Sequence, residues 1–209
     1  NDLFSNLSIT SIGFFFFVLA ALGVYYLVPK QAQNHVLLIA SYLFCFTWDW
    51  TFATILFASS IVNYWIALKL DKAEDIAKTR WVWIGVAANL GVLLFYKYFD
   101  QTSVYFFKAL LRIGLTNELL ILDLLQPIGI SFYTLQAISY LVDVYRKQIP
   151  ANHSFVEVSL YLGYFPKLLA GPIERAQNFF KQLQADIEIG NDQLVESFIK
   201  IFVGLVRKF

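Results

Sequence analysis

The sequence predicts an all-α, polytopic integral membrane protein, and three observations support this class. Apolar residues make up 58% of the chain and charged residues only 15%, whereas soluble domains average roughly 45–50% apolar and about 25% charged residues. Several apolar runs approach the roughly 20 residues that a membrane-crossing helix requires. No stretch alternates in the way that the strands of a membrane barrel do. We therefore expect one helical membrane domain over residues 1–209.

The charge balance and the metal-binding side chains exclude several classes of function. A net charge of +1 gives no basic surface of the kind that neutralises phosphates, so no nucleic-acid partner is expected. The single Cys45 cannot form an intrachain disulfide, and the two histidines have no carboxylates at ligand spacing, so no metal site is expected. Because the sequence contains no Met and stops inside an apolar run, we expect a fragment that is incomplete at its C-terminus.

The first predicted spans lie in the N-terminal third of the chain. The run from Ile9 to Val28 has the length of a span and is closed by Pro29. A signal peptide is the alternative, but its basic start and small-residue cleavage pattern are missing. Two further spans are predicted between Val36 and Leu70. They are separated at "WDWT", where two Trp residues flank Asp49 as at an interfacial turn.

The middle of the chain predicts a loop, a span and a surface helix. "LDKAEDIAKTR" (Leu70–Arg80) mixes both charge signs and indicates a solvated loop, and a span should follow from Trp81 to about Tyr96, ended by "YKYFD". The basic and aromatic stretch Ser103–Leu115 favours a helix in the plane of the interface, with a short connector as the alternative. Lys and Arg cluster before Trp81 and are absent from the "WDWT" turn, so the positive-inside rule places the former on the cytoplasmic side.

A polar stripe marks the predicted helix "ISFYTLQAISYLVDVYRK" (Ile130–Lys147), which follows a break at Pro127 and Gly129. At about 100° per residue its polar residues fall within a sector of roughly 80°. Such a stripe is costly in a membrane unless it faces the bundle interior or water, which indicates a cavity wall. The alternatives are charges that meet lipid headgroups and interhelical hydrogen bonds that only join helices. The stripe consists of Tyr133, Gln136, Tyr140, Asp143 and Lys147.

Residues 161–177, "YLGYFPKLLAGPIERAQ", form what we call the broken segment. Pro166 removes a backbone donor and Gly171-Pro172 interrupts the helix again, so this stretch must unwind. Non-helical backbone at membrane depth survives only when it is buried in protein or lines a wet cavity. The segment is therefore predicted to border a funnel, with Arg175 near an anionic or polar group. The alternative is a helix that ends at the surface, with "GPIER" as a turn and helix start.

Two motifs, "PIGISFYTLQAISYLVDVYR" and "YFPKLLAGPIER", closely resemble the membrane-bound O-acyltransferase family, and within it the alginate O-acetyltransferase branch. Supporting matches are "VPKQAQNHVLLIASYLF" with the following "WDW", "NYWIAL" and "NLGVLLFYKYFD", so the resemblance covers essentially the whole chain. It implies the family's helical core, a ring of tilted helices around a thin centre. A tunnel pierces that centre, and in it an acyl donor and an acceptor hydroxyl meet from opposite sides.

The function that this resemblance implies is O-acyl transfer. In this branch a multi-pass protein of the bacterial inner membrane passes an acetyl group across the membrane for O-acetylation of a cell-envelope or exported polysaccharide such as alginate. No bound cofactor is implied, and the acyl donor would be acetyl-CoA or another acyl carrier. The implied partners are membrane lipid, periplasmic O-acetylation proteins, and the polysaccharide acceptor, directly or through a partner.

The resemblance also implies which residues are catalytic and which border the substrate tunnel. The family's catalytic histidine is expected beyond Phe209, so no catalytic residue is assigned here and the fragment alone is expected to be inactive, since the attacking hydroxyl needs a base. Interface or loop roles are expected for His35 and His153. Lys167 stands where many relatives have an uncharged residue. The substrate tunnel is assigned to Tyr133, Gln136, Tyr140, Asp143, Pro166, Gly171, Pro172 and Arg175.

Two other classes of function remain open at this point. A transporter or channel would also have broken helices and intramembrane polar residues. A non-catalytic membrane scaffold would use the aromatic surface to dock its partners.

Overall fold

A computed structural model of the chain describes residues 12–112, 129–171 and 174–185, with short stretches at 195–197, 199–200 and 203–204. Within these ranges the chain forms helices and no strand, which confirms the all-α class. The helices are α1 (Ile12–Leu27), α2 (Lys30–Phe46), α3 (Trp50–Lys72), α4 (Asp75–Arg112), α5 (Ile130–Tyr145), α6 (Phe155–Gly163), α7 (Phe165–Ala170) and α8 (Ala176–Gln184).

Two helices among the described residues are long and apolar enough to cross a membrane. They are α3 and the part of α4 from Ile76 to Phe99. Both carry large exposed apolar side chains, including Trp65 on α3 and Trp83 on α4. Lipid accepts such surfaces, which water would not favour. The protein is therefore a membrane protein.

The bounds of the two N-terminal helices differ from those predicted. α1 contains 16 residues, and residues 9–11 of the predicted span lie outside the described part of the chain. α2 begins six residues before Val36 and contains 17 residues. Pro29 occupies its N-cap position with φ −62°, a value that suits the entry to a helix. The turn at "WDWT" is confirmed, because α2 ends at Phe46 and α3 begins at Trp50.

Asp49 fixes this turn as the N-cap of α3. Its carboxylate accepts the backbone N–H of Thr51 at 2.7 Å and also the Thr51 hydroxyl. N-cap carboxylates satisfy amide groups that the first turn of a helix leaves free. The hydrogen bond from the Thr51 hydroxyl, followed by that from its backbone N–H, holds the pKa of Asp49 below its ordinary value.

The solvated loop predicted between Leu70 and Arg80 is wrong. α3 continues to Lys72 and α4 begins at Asp75, so only Ala73 and Glu74 separate the two helices. Lys, Glu and Ala are good helix formers, and charged side chains at the end of a span reach solvent without a break in the backbone. The mixed charges therefore lie at the short connection between two helices and not in a long loop.

The helix end predicted at "YKYFD" is also wrong, because α4 runs without a break from Asp75 to Arg112. After Gly91 this helix contains neither Gly nor Pro, so no residue forces the backbone to stop or kink. The interfacial helix predicted over Ser103–Leu115 is, as far as Arg112, the continuation of α4. Residues 113–115 lie outside the described ranges.

Helix α6 lies at the centre of the packing among the described helices. It contacts α2, α3, α5 and α8, and its Val158, Leu160 and Tyr161 are fully buried. A Cβ atom added at Gly163 would lie 2.7 Å from the Leu56 side chain on α3. Small residues allow helices in membranes to approach this closely. The residue type at 163 therefore sets the distance between α6 and α3.

A pair of asparagines joins α3 to α4. The Asn63 amide donates to the Asn89 side-chain oxygen at 3.1 Å, and the Asn89 amide donates back at 2.7 Å. Each amide also donates to a carbonyl of its own helix, that of Ser59 or that of Gly85. Both side chains are buried, so the pair satisfies polar groups that lipid would leave unpaired. It fixes the register of these two helices, and the sequence analysis did not identify it.

Candidate substrate-tunnel site

The start of α5 is set by Gly129, which adopts the left-handed conformation with φ 73°. A Cβ atom at this position would lie 2.8 Å from the carbonyl oxygen of Leu168 on α7. Glycine is thus required both by the backbone angle and by the contact. The predicted break before α5 is confirmed at this residue, whereas Pro127 lies outside the described residues.

Gly129→Ala is expected to lower the stability of the protein by about 2 kcal/mol, because alanine is strained in this conformation and its Cβ displaces α7. Thermal unfolding of the detergent-purified complete protein measures the effect. Gly91→Ala is the matched control, since a Cβ on Gly91 meets nothing within 4 Å. Equal melting temperatures for the two variants would contradict the requirement for glycine at position 129.

Four of the five residues of the predicted polar stripe face the interior of the bundle, whereas the prediction is wrong for the fifth, Lys147, because α5 ends at Tyr145. Tyr133, Gln136, Tyr140 and Asp143 are all buried, whereas Arg146 and Lys147 beyond the helix end are exposed. The helical period that placed the four residues on one face is confirmed. Asp143 is buried within the protein, so its carboxylate is not a freely exposed charge.

Two residues of the stripe form hydrogen bonds that join elements of the bundle. The Gln136 amide donates to the backbone carbonyl of Tyr161 on α6. The Tyr140 hydroxyl accepts the backbone N–H of Asn152 at 2.9 Å, in the connection between α5 and α6. The interhelical hydrogen bond considered for Gln136 is therefore present, and Tyr140 holds a loop in place.

Tyr133 is different, because its buried hydroxyl has no hydrogen-bond partner among the described residues. It lies beside a cavity of about 10 Å³, a volume close to what one water molecule requires. An unpaired hydroxyl in an apolar site is costly, so a polar ligand or water is favoured there. The other residues that line this cavity are Phe44, Cys45, Trp48, Phe52, Leu56 and Leu168.

The broken segment is interrupted twice. α6 ends at Gly163 and α7 begins at Phe165, with Pro166 in its first turn, where a missing N–H does no harm. α7 then stops before Gly171, which is extended with φ −76°. α8 begins at Ala176 with Arg175 as its N-cap, so the end of "GPIER" leads into a helix, as in the alternative, although the helix starts after these residues. Pro172 lies outside the described residues.

Tyr161 shelters the second interruption. Its buried hydroxyl donates to the backbone carbonyl of Glu174 at 2.9 Å, and its ring lies 5.0 Å from the Lys167 ammonium. That ammonium is also 4.3 Å from the centre of the Phe179 ring and 3.7 Å from the Glu174 carboxylate. Aromatic faces and a carboxylate thus stabilise a cation that forms no hydrogen bond among the described residues. The charge of Lys167 is accommodated inside the protein.

Sequence reasoning did not single out Tyr161. In the sequence it is one more aromatic residue in an apolar run. One signal could have identified it, because a tyrosine close to a proline break has a hydroxyl that needs a partner when it is buried. The break itself supplies that partner as a free carbonyl.

Arg175 connects the broken segment to α5. Its guanidinium lies 3.5 Å from the Asp143 carboxylate and 3.4 Å from the side-chain oxygen of Gln148. The side chain of Asp143 is 7% exposed and that of Arg175 is 67% exposed. The predicted anionic neighbour of Arg175 is therefore confirmed, and it belongs to the polar stripe.

The remaining candidates lie apart from this contact. Pro166 is exposed on α7. His35 is exposed near the start of α2, and His153 is exposed in the loop before α6, where its carbonyl accepts the Tyr64 hydroxyl at 3.0 Å. The loop position is confirmed for His153, and the interface position of His35 stays a prediction. Within the described ranges, no group of His, Cys, Asp and Glu could hold a metal ion.

Comparisons with known proteins identify relatives of this chain. It is 34% identical over 93% of its length to a Pseudomonas aeruginosa protein named "Probable alginate O-acetylase AlgI", and 33% identical over the same share to the Azotobacter vinelandii protein of that name. It is 29% identical, over 77% of its length, to a peptidoglycan O-acetyltransferase of Helicobacter pylori. No family model and no solved structure matches the chain.

The chain spans 37%, 39% and 35% of the lengths of these three relatives. The names of the relatives agree with the family indicated by the motifs around α5 and the broken segment. The chain is thus homologous to these O-acetyltransferases, and its resemblance to the alginate O-acetyltransferase branch of the membrane-bound O-acyltransferase family is confirmed.

Proposed function

We propose that the whole protein is a multi-pass O-acyltransferase of the bacterial inner membrane that transfers acetyl groups to a cell-envelope or exported polysaccharide. The observation that carries this proposal is the similarity, over 93% of the chain, to proteins named for alginate O-acetylation. Alginate and peptidoglycan both contain sugar hydroxyls, so a sugar hydroxyl is the acceptor common to the named relatives. Alginate is the preferred polymer, because the relatives named for it are the more similar ones.

The described residues would form one wall of the substrate tunnel. The polar stripe and the broken segment contact each other through Gln136 and Tyr161, and again through Asp143 and Arg175. Unwound backbone is tolerated at membrane depth where protein or water covers it, and the Tyr161 hydroxyl covers the Glu174 carbonyl. The unpaired Tyr133 hydroxyl offers a polar contact beside a water-sized cavity. Together these features favour a passage along α5.

In the proposed reaction, the residues of this chain position the substrates. A histidine elsewhere in the whole protein, expected from the resemblance, would take the proton of the acceptor hydroxyl as general base. The acceptor oxygen then bonds to the acetyl carbon, the bond between acetyl group and donor breaks, and the proton passes to the leaving carrier. The donor would be acetyl-CoA or another acyl carrier, and periplasmic O-acetylation proteins would receive or place the acetyl group. Tyr133, Gln136, Tyr140, Asp143, Pro166, Gly171, Pro172 and Arg175 would border the passage.

Deletion of the complete reading frame that encodes this chain is expected to remove ester-linked acetyl groups from one envelope or exported polysaccharide. The purified polymers are treated with mild base, and the released acetate is measured. Re-expression of the intact gene should restore the acetate, while an unrelated membrane protein of similar size should not. Unchanged acetate on every polymer of the deletion strain would overturn the proposed function.

A further inference from the structure

A basic cavity of about 770 Å³ lies where the ends of α3, α4 and α5 meet, far along α5 from Tyr133 and the small cavity beside it. Its volume is in the range that binds small ligands. Four cationic side chains line it. Among the lining residues that the structure describes, Glu74 is the single acidic one. The hydroxyls of Thr79 and Tyr145, 3.2 Å apart, also belong to the lining. The four cations are Lys78, Arg80, Arg146 and Lys147.

Lys78 is the most buried of these cations, with 8% of its surface exposed. Among the described side chains, no carboxylate forms a salt bridge with it or with the other three. A buried ammonium that no carboxylate contacts is unfavourable, and the single carboxylate among the described lining residues, Glu74, cannot neutralise four cations. A bound anion would supply the missing negative charge.

Lys147 occupies a position that ordinarily selects glycine. It adopts φ 58° and follows Arg146, the C-cap residue of α5. The backbone N–H of Lys147 donates to the carbonyl of Val144 at 3.1 Å, and that of Gln148 donates to the carbonyl of Asp143 at 3.0 Å. This is the Schellman pattern, in which glycine is usual because side chains are strained in the left-handed conformation. A lysine at this position lowers the stability of the protein and adds a cation to the cavity.

The cavity borders the lipid-facing surface of the protein. Ile76 lines it and is 72% exposed, and Trp83, two turns further along α4, is 66% exposed. The apolar span of α4 begins at Ile76, so in a membrane the cavity would be near the lipid headgroups. Basic residues are concentrated at this end of the helices, and the opposite turn at Trp48–Trp50 contains none. Positive charge of this kind attracts the anionic lipids of the cytoplasmic leaflet.

We propose that this cavity binds the phosphate headgroup of an anionic phospholipid. Arg80 and Arg146 contact the phosphate oxygens as planar donors, and the acyl chains lie along the exposed apolar face of α4. The proposal does not depend on the acyltransferase function. A soluble phosphate compound shares the same recognition chemistry, so the experiment separates the two sources.

The first experiment measures lipid binding to the complete protein by native mass spectrometry. Phosphatidylglycerol is expected to bind in preference to phosphatidylcholine, and Arg80→Gln combined with Arg146→Gln should weaken it about 30-fold, roughly fivefold for each cation removed. Lys30→Gln combined with Lys181→Gln is the matched control, because neither residue lines the cavity. Equal binding of phosphatidylglycerol by the two double variants would overturn the site. If the protein bound inorganic phosphate and showed no preference between the two lipids, the proposal that the bound phosphate belongs to a lipid would be overturned.

The second experiment uses Lys147→Gly, which removes a cation and relieves the backbone at once. Phosphatidylglycerol binding should weaken roughly fivefold, while the melting temperature of the lipid-free protein stays the same or rises. A variant that only damaged the fold would show weaker lipid binding together with a lower melting temperature. Unchanged lipid binding, or a fall in lipid binding accompanied by a lower melting temperature, would contradict the role given to Lys147.

Discussion

Gly171→Leu is expected to remove most of the folded protein and, with it, the acetyl transfer activity of the complete protein. A Cβ atom at Gly171 would lie 2.7 Å from the Cα atom of Lys167 and 2.9 Å from its Cγ atom. Because the first of these is a backbone atom, α7 must shift to accommodate any side chain. Lys167 is held between Tyr161, Phe179 and Glu174, so the shift breaks these contacts as well. A loss of about 3 kcal/mol follows from such overpacking.

The yield of monodisperse protein, measured by size-exclusion chromatography in detergent, tests this prediction. Gly23→Leu is the control, because a Cβ on this α1 glycine meets nothing within 4 Å. Gly171→Ala should already lower the yield, since the clash begins at Cβ and does not need the rest of a leucine. A Leu variant that is obtained in normal amounts and acetylates its polymer would contradict the close approach in the broken segment.

Several features of the fold could be predicted because their causes lie within a few residues. The helical period placed Tyr133, Gln136 and Asp143 on one face, and that face is buried because polar groups avoid lipid. The interruption of the broken segment followed from Pro166 and Gly171, whose backbone properties do not depend on their neighbours. Local chemistry is sufficient for such features.

Other features escaped prediction because local chemistry allows more than one outcome. The charged residues between Leu70 and Arg80 suit a loop and a helix end equally well, and packing of α3 on α4 decided in favour of helix. The partners of Tyr161 and Lys167 lie beyond the next helix break, up to 13 positions away, and the partner of Asn63 is 26 positions away on another helix. A single sequence contains no information on which distant side chains meet, so these contacts became visible only in three dimensions.

Arg175→Ala is expected to lower polymer acetylation by the complete protein roughly tenfold, because small errors in positioning reacting groups have large effects on rate. The guanidinium is the contact that links the second interruption of the broken segment to the buried Asp143. Insertion into the membrane should be unaffected. Because Arg175 is largely exposed, the loss of stability should be at most about 1 kcal/mol.

The ion pair can be separated from a general loss of charge by comparing variants. Lys181→Ala removes an exposed cation from α8 without touching Asp143 and should leave acetylation unchanged. Arg175→Lys should restore part of the activity, since the charge returns without the planar donor geometry. If the pair acts as a unit, Arg175→Ala combined with Asp143→Asn should be no less active than Arg175→Ala alone, because no unpaired carboxylate then remains buried. Unchanged acetylation in Arg175→Ala, or fully additive losses in the double variant, would mean that the pair does not position the broken segment for transfer.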